Sequence, residues 1–143
     1  GAVFSAADLP PGLRIDPARG TILGTPAKNG RWFSTVTIQN PDGTGASAAL
    51  RLNVGTPVIR VNDLYTARAG QPFEIGLDIK HAATDKKGRA NVRVRGLPDG
   101  LRFNKATLEI TGSTKTPATY LIRIIARNKV GGAIADFNLT VQP

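Results

Sequence analysis

The sequence predicts an all-β protein, an antiparallel β-sandwich in two tandem copies, the first of which lacks its two N-terminal strands. Three observations carry this. A block rich in Pro and Gly, Leu9-Pro10-Pro11-Gly12-Leu13-Arg14-Ile15-Asp16 and its closure Gly24-Thr25-Pro26, returns as Leu97-Pro98-Asp99-Gly100-Leu101-Arg102-Phe103-Asn104 with Gly112-Ser113-Thr114. Leu9 and Leu97, Gly12 and Gly100, and Gly24 and Gly112 are each 88 residues apart, the spacing of a domain and not of a solenoid unit. Outside these blocks apolar and polar residues alternate with a period of two, and no segment sustains a helical period.

Taken in order, residues 1–7 form a strand with Phe4 and Ala6 on one parity. In Leu-Pro-Pro-Gly-Leu two prolines remove donors and fix φ, while Gly12 permits a left-handed turn. Leu13 and Ile15 make a short strand, Asp16-Pro17-Ala18-Arg19-Gly20 a tight turn, and Thr21-Ile22-Leu23 the return strand. Trp32, Ser34, Val36 and Ile38 share one face of the next strand. The turn Asn40-Pro41-Asp42-Gly43 follows, then a strand with Ala46, Ala48, Leu50, Leu52 and Val54 inward.

Gly55-Thr56-Pro57 joins the copies, which span 1–55 and 56–143. So short a joint predicts restricted packing of neighbouring domains and not a free linker. In the second copy residues 58–67 read as a broken first strand. Phe73, Ile75, Leu77 and Ile79 alternate along the second, and 81–89 form a polar, basic loop. Val92 and Val94 point inward on the third. After the repeated block, Tyr120, Ile122, Ile124 and Ala126 match Trp32, Ser34, Val36 and Ile38. Ala135, Phe137, Leu139 and Val141 match Ala48, Leu50, Leu52 and Val54 after a one-residue shift at the turn. The second copy thus has seven strands in two layers.

The apolar fraction of 41% suffices for ordinary cores. No run of ~18 apolar residues predicts a membrane span, and no N-terminal stretch reads as a signal peptide. The sequence has no Met, so it is expected to be a mature product or a piece of a longer chain, and no Cys, so disulfides and thiol chemistry play no part. A net charge of +9 favours acidic partners.

Catalytic chemistry finds little to work with. His81 is the only histidine and lies in the polar loop, where a solvated side chain is expected. The ten carboxylates are dispersed, mostly in turns, and none forms an acid/base pair by spacing. The sequence is therefore read as non-catalytic, with no cofactor. Calcium would draw on Asn62-Asp63 at the joint with Asp8 and Asp99, short of the six or more oxygens that ion takes. Lys80, Lys86, Lys87 and Arg89 cluster in one loop, but Phe103 and Tyr120 lie at core parity, so the stacking platform of a nucleic-acid binder is missing.

The pattern Leu-Pro-x-Gly-Leu, a turn, Gly-Thr-Ile-x-Gly-Thr-Pro and an aromatic-led strand resembles the putative-Ig family, cadherin-like and dystroglycan-like Ig modules of bacterial surface proteins. Residues 9–26 match closely. The second copy departs at Leu108-Glu109-Ile110-Thr111-Gly112-Ser113-Thr114, where the family favours Gly first and Pro last. The resemblance implies an Ig-like sandwich, scaffolding or adhesion without a shared active site, and an extracytoplasmic, secreted or cell-surface location. It also implies two strands ahead of the first copy. Neighbouring domains of a longer parent chain or another chain supply them, or the copy folds as a reduced sandwich. An accessory domain of a secreted enzyme is an alternative setting.

In such a sandwich the third, sixth and seventh strands share a sheet. The outward residues of the second copy are then Arg93 and Arg95, followed by Leu121, Arg123, Ile125 and Arg127, and last Ile134. Arginine among aliphatic side chains marks a docking surface for an acidic protein or glycan, or a face covered by a neighbouring domain.

Overall fold

The computed structural model describes residues 1–143, all strand, turn and loop. The chain divides into two compact units, Gly1–Gly55 and Thr56–Pro143.

In the first unit β1 (Val3–Ala7), β4 (Gly30–Gln39) and β5 (Gly45–Val54) form an antiparallel sheet in the order β1-β4-β5. The block between them folds as a hairpin of β2 (Leu13–Ile15) and β3 (Ile22–Gly24). Asp16 sets its turn: one carboxylate oxygen accepts the N–H groups of Ala18 and Arg19, and the Gly20 N–H reaches the Asp16 carbonyl. Gly12 and Gly24 lie at φ of +89° and +110°, and a Cβ on either would fall about 2 Å from a carbonyl oxygen, of Thr25 and Gly12 respectively. Those two positions accept only glycine.

The second unit repeats this plan and adds to it. The strands β10 (Val92–Arg95), β13 (Ala118–Arg127) and β14 (Gly132–Gln142) correspond to β1, β4 and β5, and β11 (Leu101–Asn104) and β12 (Glu109–Gly112) to β2 and β3. The additional elements are β6 (Val58–Arg60), β7 (Leu64–Arg68), β8 (Phe73–Gly76) and β9 (Asp78–Lys80). β7 extends one sheet to β10-β13-β14-β7, parallel to β14, and β8 extends the other to β11-β12-β8. β6 pairs with β9.

Two sequence expectations change in detail. The single strand expected over Phe73–Ile79 is two, because the Leu77 N–H turns to the Leu108 carbonyl where pairing passes from β12 to β6. The side-chain alternation runs through the break, leaving Ile75 and Leu77 both buried. Ala46 and Ala48, expected inward, are exposed. The opposing hairpin has only three residues per strand, about 10 Å, against ten for β5, and cannot cover its far end.

The core lies in the second unit. Val92, Ile110, Ile122, Ile124, Ala126, Phe137, Leu139 and Val141 are buried between the sheets, with Tyr65 edge-on to Phe137 at a centroid distance of 5.0 Å. In the first unit only Pro10 and Ser34 are buried; its large apolar residues are half-buried or exposed.

Candidate docking face on the second module

Strand alternation sends every second side chain of β10, β13 and β14 away from the core. Register then decides which of them meet. Arg95, Arg123 and Asp136 form one cross-strand row, and Arg93, Ile125 and Ile134 another. A third row runs Leu121, Asn138 and Leu64. Leu64, Leu121 and Ile134 are 57%, 60% and 61% exposed, apolar surface laid among the arginines.

The four predicted arginines do not share one electrostatic state. Arg123 holds Asp136 in a two-pronged ion pair, Nε to Oδ1 and Nη2 to Oδ2, both at 2.8 Å. This contact, chiefly its hydrogen bond, lowers the Asp136 carboxyl and raises the guanidinium. It also offsets the like-charge juxtaposition of Arg95 and Arg123 across β10 and β13. Arg93, Arg95 and Arg127 have no carboxylate partner within 4 Å, and together they line a groove of about 370 Å³ with Asn91 and Ile125. The structure therefore brings Arg93, Arg95, Ile125 and Arg127 together, and leaves Leu121 and Arg123 on the same face outside the groove.

The groove runs along β10, the edge of its sheet, and the adjoining loop is tied down there. The Ala83 N–H donates to the Arg127 carbonyl, the Asn91 N–H to the Ala83 carbonyl, and the Arg127 N–H to the Asn91 carbonyl. Asp85 organises the loop tip by accepting the N–H groups of Lys87 and Arg89 and the Arg89 Nε–H. These bonds, led by the Arg89 N–H, lower its carboxyl.

Sequence reasoning missed Asn91, Asp136 and Leu64. Asp136 lies between the inward Ala135 and Phe137, and its meeting with Arg123 depends on the β13–β14 register. Leu64 joins the face only because β7 pairs in parallel with β14. His81 is exposed, with its carbonyl accepting the Asn128 side-chain amide. No three His, Cys, Asp or Glu side chains converge. Asp8 and Asp63 instead contribute backbone carbonyls, to Ser34 Oγ and to the Asn138 N–H.

Two facing sheets, antiparallel except where β7 lies parallel to β14, with a broken first strand shared between pairings, define the second unit as an Ig-like sandwich and the first as a reduced copy of it. Residues 2–55 and 56–142 both match the family described as "Putative Ig domain", and the chain belongs to that family. It is 30% identical over 126 residues to the "Serine-rich adhesin for platelets" of Staphylococcus aureus strain MRSA252, a match covering 86% of this chain and 9% of that protein. The same adhesin of strain USA300 matches at 30%, over 6% of its length. The chain thus spans under a tenth of these relatives. Among solved structures it is similar to an α-galactosidase-related protein of Bacteroides fragilis, at a TM-score of 0.50 and 18% identity over 59% of this chain and 17% of that one. A second protein of that organism matches equally well in TM-score at 20% identity. These likenesses speak to the fold alone. No helix in the chain is long and apolar enough to cross a membrane.

Proposed function

We propose that the chain is a non-catalytic adhesion-type segment of an extracytoplasmic surface protein, and that its second module docks an acidic glycan or acidic protein surface through the β10-β13-β14 face. Kinship with an adhesin supports the setting. The observation that carries the docking reading is the groove in which Arg93, Arg95 and Arg127 surround Ile125 without carboxylate partners. Planar guanidinium groups match carboxylate and sulfate in two-pronged geometry, and aliphatic side chains beside them cover the ligand's carbon skeleton. Arg93 and Arg95 sit on the four-residue β10, paired along its length with the ten-residue β13 that carries Ile125 and Arg127, which suits a module that spaces and presents a surface without turnover.

Retention on immobilised heparin, a sulfated polysaccharide, tests this. Arg93→Glu with Arg127→Glu is expected to elute at markedly lower salt than Arg14→Glu with Arg19→Glu, which changes net charge equally in the first module. Equal losses from the two variants would reduce the groove to bulk charge and sink the reading.

A further inference from the structure

Resting on the docking reading above, we infer that the second module's ligand is a linear sulfated glycan chain, laid along a track that crosses the edge of the sandwich. Three grooves adjoin there. Asn91 lines both the groove of Arg93, Arg95 and Arg127 and a second, of about 440 Å³, that holds Arg89 and Lys105. Arg89 and Lys105 in turn line a third, of about 470 Å³, with Arg102 and Phe103. The series runs from the outer side of the β10-β13-β14-β7 sheet to that of the β11-β12-β8 sheet. Thr111 closes it: that residue pairs with Glu74, and the groove beyond holds this carboxylate where a cation would continue the track.

The path is continuous because backbone bonds fasten the two sheets together at this edge. The Ala90 N–H donates to the Lys105 carbonyl, and the Asn91 N–H to the Ala83 carbonyl. Asn104 Oδ1 accepts the Ala106 and Thr107 N–H groups, which holds Lys105 at the start of the β11–β12 turn. Six exposed cations thus follow one line of grooves, Arg95, Arg93, Arg127, Arg89, Lys105 and Arg102. Only Arg89 has a carboxylate partner within 4 Å, Asp85. Asp85 is the one carboxylate lining the three grooves, and its oxygens already accept the Arg89 Nε–H and two backbone N–H groups.

The occupant follows from the shape and chemistry of the track. From Arg95 to Asn91 it follows the strand for about 13 Å, and it then crosses between layers about 10 Å apart. That length takes several consecutive anionic units. A rigid acidic protein surface meets one outer face of a sandwich at a time, whereas a linear chain follows the turn. Asn91, Thr84, Asn104 and Thr111 lie among the cations and suit sugar hydroxyls, while guanidinium groups take sulfate in two-pronged geometry. Nucleic-acid bases would need exposed aromatic rings to stack on, and the one aromatic on the track, Phe103, is half-buried against the core. Nor does the fold itself demand these cations. At the 88-residue offset Ser5, Ala7, Gln39 and Pro17 stand where the second module has Arg93, Arg95, Arg127 and Lys105, and only Arg14 matches Arg102.

Calorimetric titration of the whole chain with size-defined heparin oligosaccharides tests the track. Two variants change the charge equally: Arg93→Gln with Arg127→Gln in the first groove, and Arg102→Gln with Lys105→Gln at the far end. The far-end pair is expected to weaken binding of a dodecasaccharide by roughly 5–10-fold at low salt. It should also lower the slope of log affinity against log salt by about two, one for each lost ion contact. A tetrasaccharide, long enough for the first groove alone, should bind the far-end variant as it binds the intact chain, which also shows that the variant is folded. The first-groove pair should weaken both lengths. Equal losses for both lengths in the far-end variant would mean a diffuse field without a track, and would overturn the inference. If the far-end pair changes neither length while the first-groove pair weakens both, the track falls and docking in the first groove stands. If neither pair weakens either length, both fall. An oligothymidylate or a polyglutamate of matching charge that binds as tightly as the dodecasaccharide would make the occupant a nucleic acid or an acidic protein segment, and would overturn the choice of a glycan.

Discussion

Position 34 carries Ser and position 122 carries Ile, at the same place in two strands of the same design. Ile122 is 0% exposed in a core of aliphatic neighbours; Ser34 is 2% exposed and spends its hydroxyl on the Asp8 carbonyl. The two modules share their turns and differ in what the turns enclose. Asp16 and Asn104 accept the same two N–H groups one turn on, and Pro10 and Pro98 are both buried. The Leu13 and Leu101 N–H groups reach the same prolyl carbonyls. Loop geometry is thus written locally and survives without a sandwich around it. Burial requires the second layer, and only the second module has β6 to β9 to complete one.

Truncations in the core should separate the modules most. Ile122→Ala removes a fully buried side chain and is expected to destabilise the second module by about 3 kcal/mol. Val36→Ala, in the first module at the counterpart of Ile124, should cost about 1 kcal/mol or less, since Val36 is half-buried. The single tryptophan, Trp32, reports the first module by fluorescence, and the near-ultraviolet signal of Tyr65 and Tyr120 reports the second. Comparable losses at both sites would mean that the first module already has a complete core.

Turn glycines should cost the modules alike. Gly100→Ala would set a Cβ 1.9 Å from the Ser113 carbonyl at φ +95°, and Gly12→Ala one 2.1 Å from the Thr25 carbonyl at φ +89°. Each is expected to lose at least ~2 kcal/mol in its own module, from left-handed strain and collision together. A neutral Gly12→Ala would mean that the first module's turn can relax where the second's cannot. A finer contrast lies one turn on. Gly20 faces the ring of Phe4, 2.7 Å from where a Cβ would stand, while the corresponding positions of the second module hold Leu108 at φ +58° and the smaller Val92. Gly20→Ala should cost about 1–2 kcal/mol and recover part of that when combined with Phe4→Val. Simple additivity in the double-mutant cycle would exclude this exchange of bulk.

These contrasts also show where the sequence is readable. Turns are legible because Pro and Gly dictate their own dihedrals, so the 88-residue offset aligned Gly12 with Gly100 without any knowledge of packing. Parity is legible too: Val92, Ile122, Ile124, Phe137, Leu139 and Val141 all point inward as alternation requires. What alternation cannot convey is which strand lies beside which. The passage of pairing at Leu77 leaves the side-chain pattern untouched, and the parallel docking of β7 places Leu64 on the face by a contact distant in sequence. Charge is visible residue by residue, so the sequence places Arg93, Arg95, Arg123 and Arg127 on one face with Leu121 and Ile125, while the Asp136 that pairs with one of these arginines is assigned by register.

That pairing gives the smallest and most specific expected effect. Asp136→Asn keeps the shape of the row Arg95, Arg123, Asp136 and releases the Arg123 guanidinium to a ligand. As an exposed pair it contributes little to stability, so the unfolding midpoint should hardly move, while heparin retention should strengthen by roughly 2–5-fold at low salt. The pH dependence has a determined sign. The hydrogen bond from Arg123 lowers the Asp136 carboxyl from its ordinary 3.8, so the pair is intact above that value and is lost as the pH falls through the lowered one. Sulfate remains ionised there, so in that acidic window the intact chain should gain an increment of retention that Asp136→Asn, already released, does not show. Parallel pH profiles for the two proteins would mean that Arg123 never meets the ligand, and would confine the docking site to the groove beneath Arg93, Arg95 and Arg127.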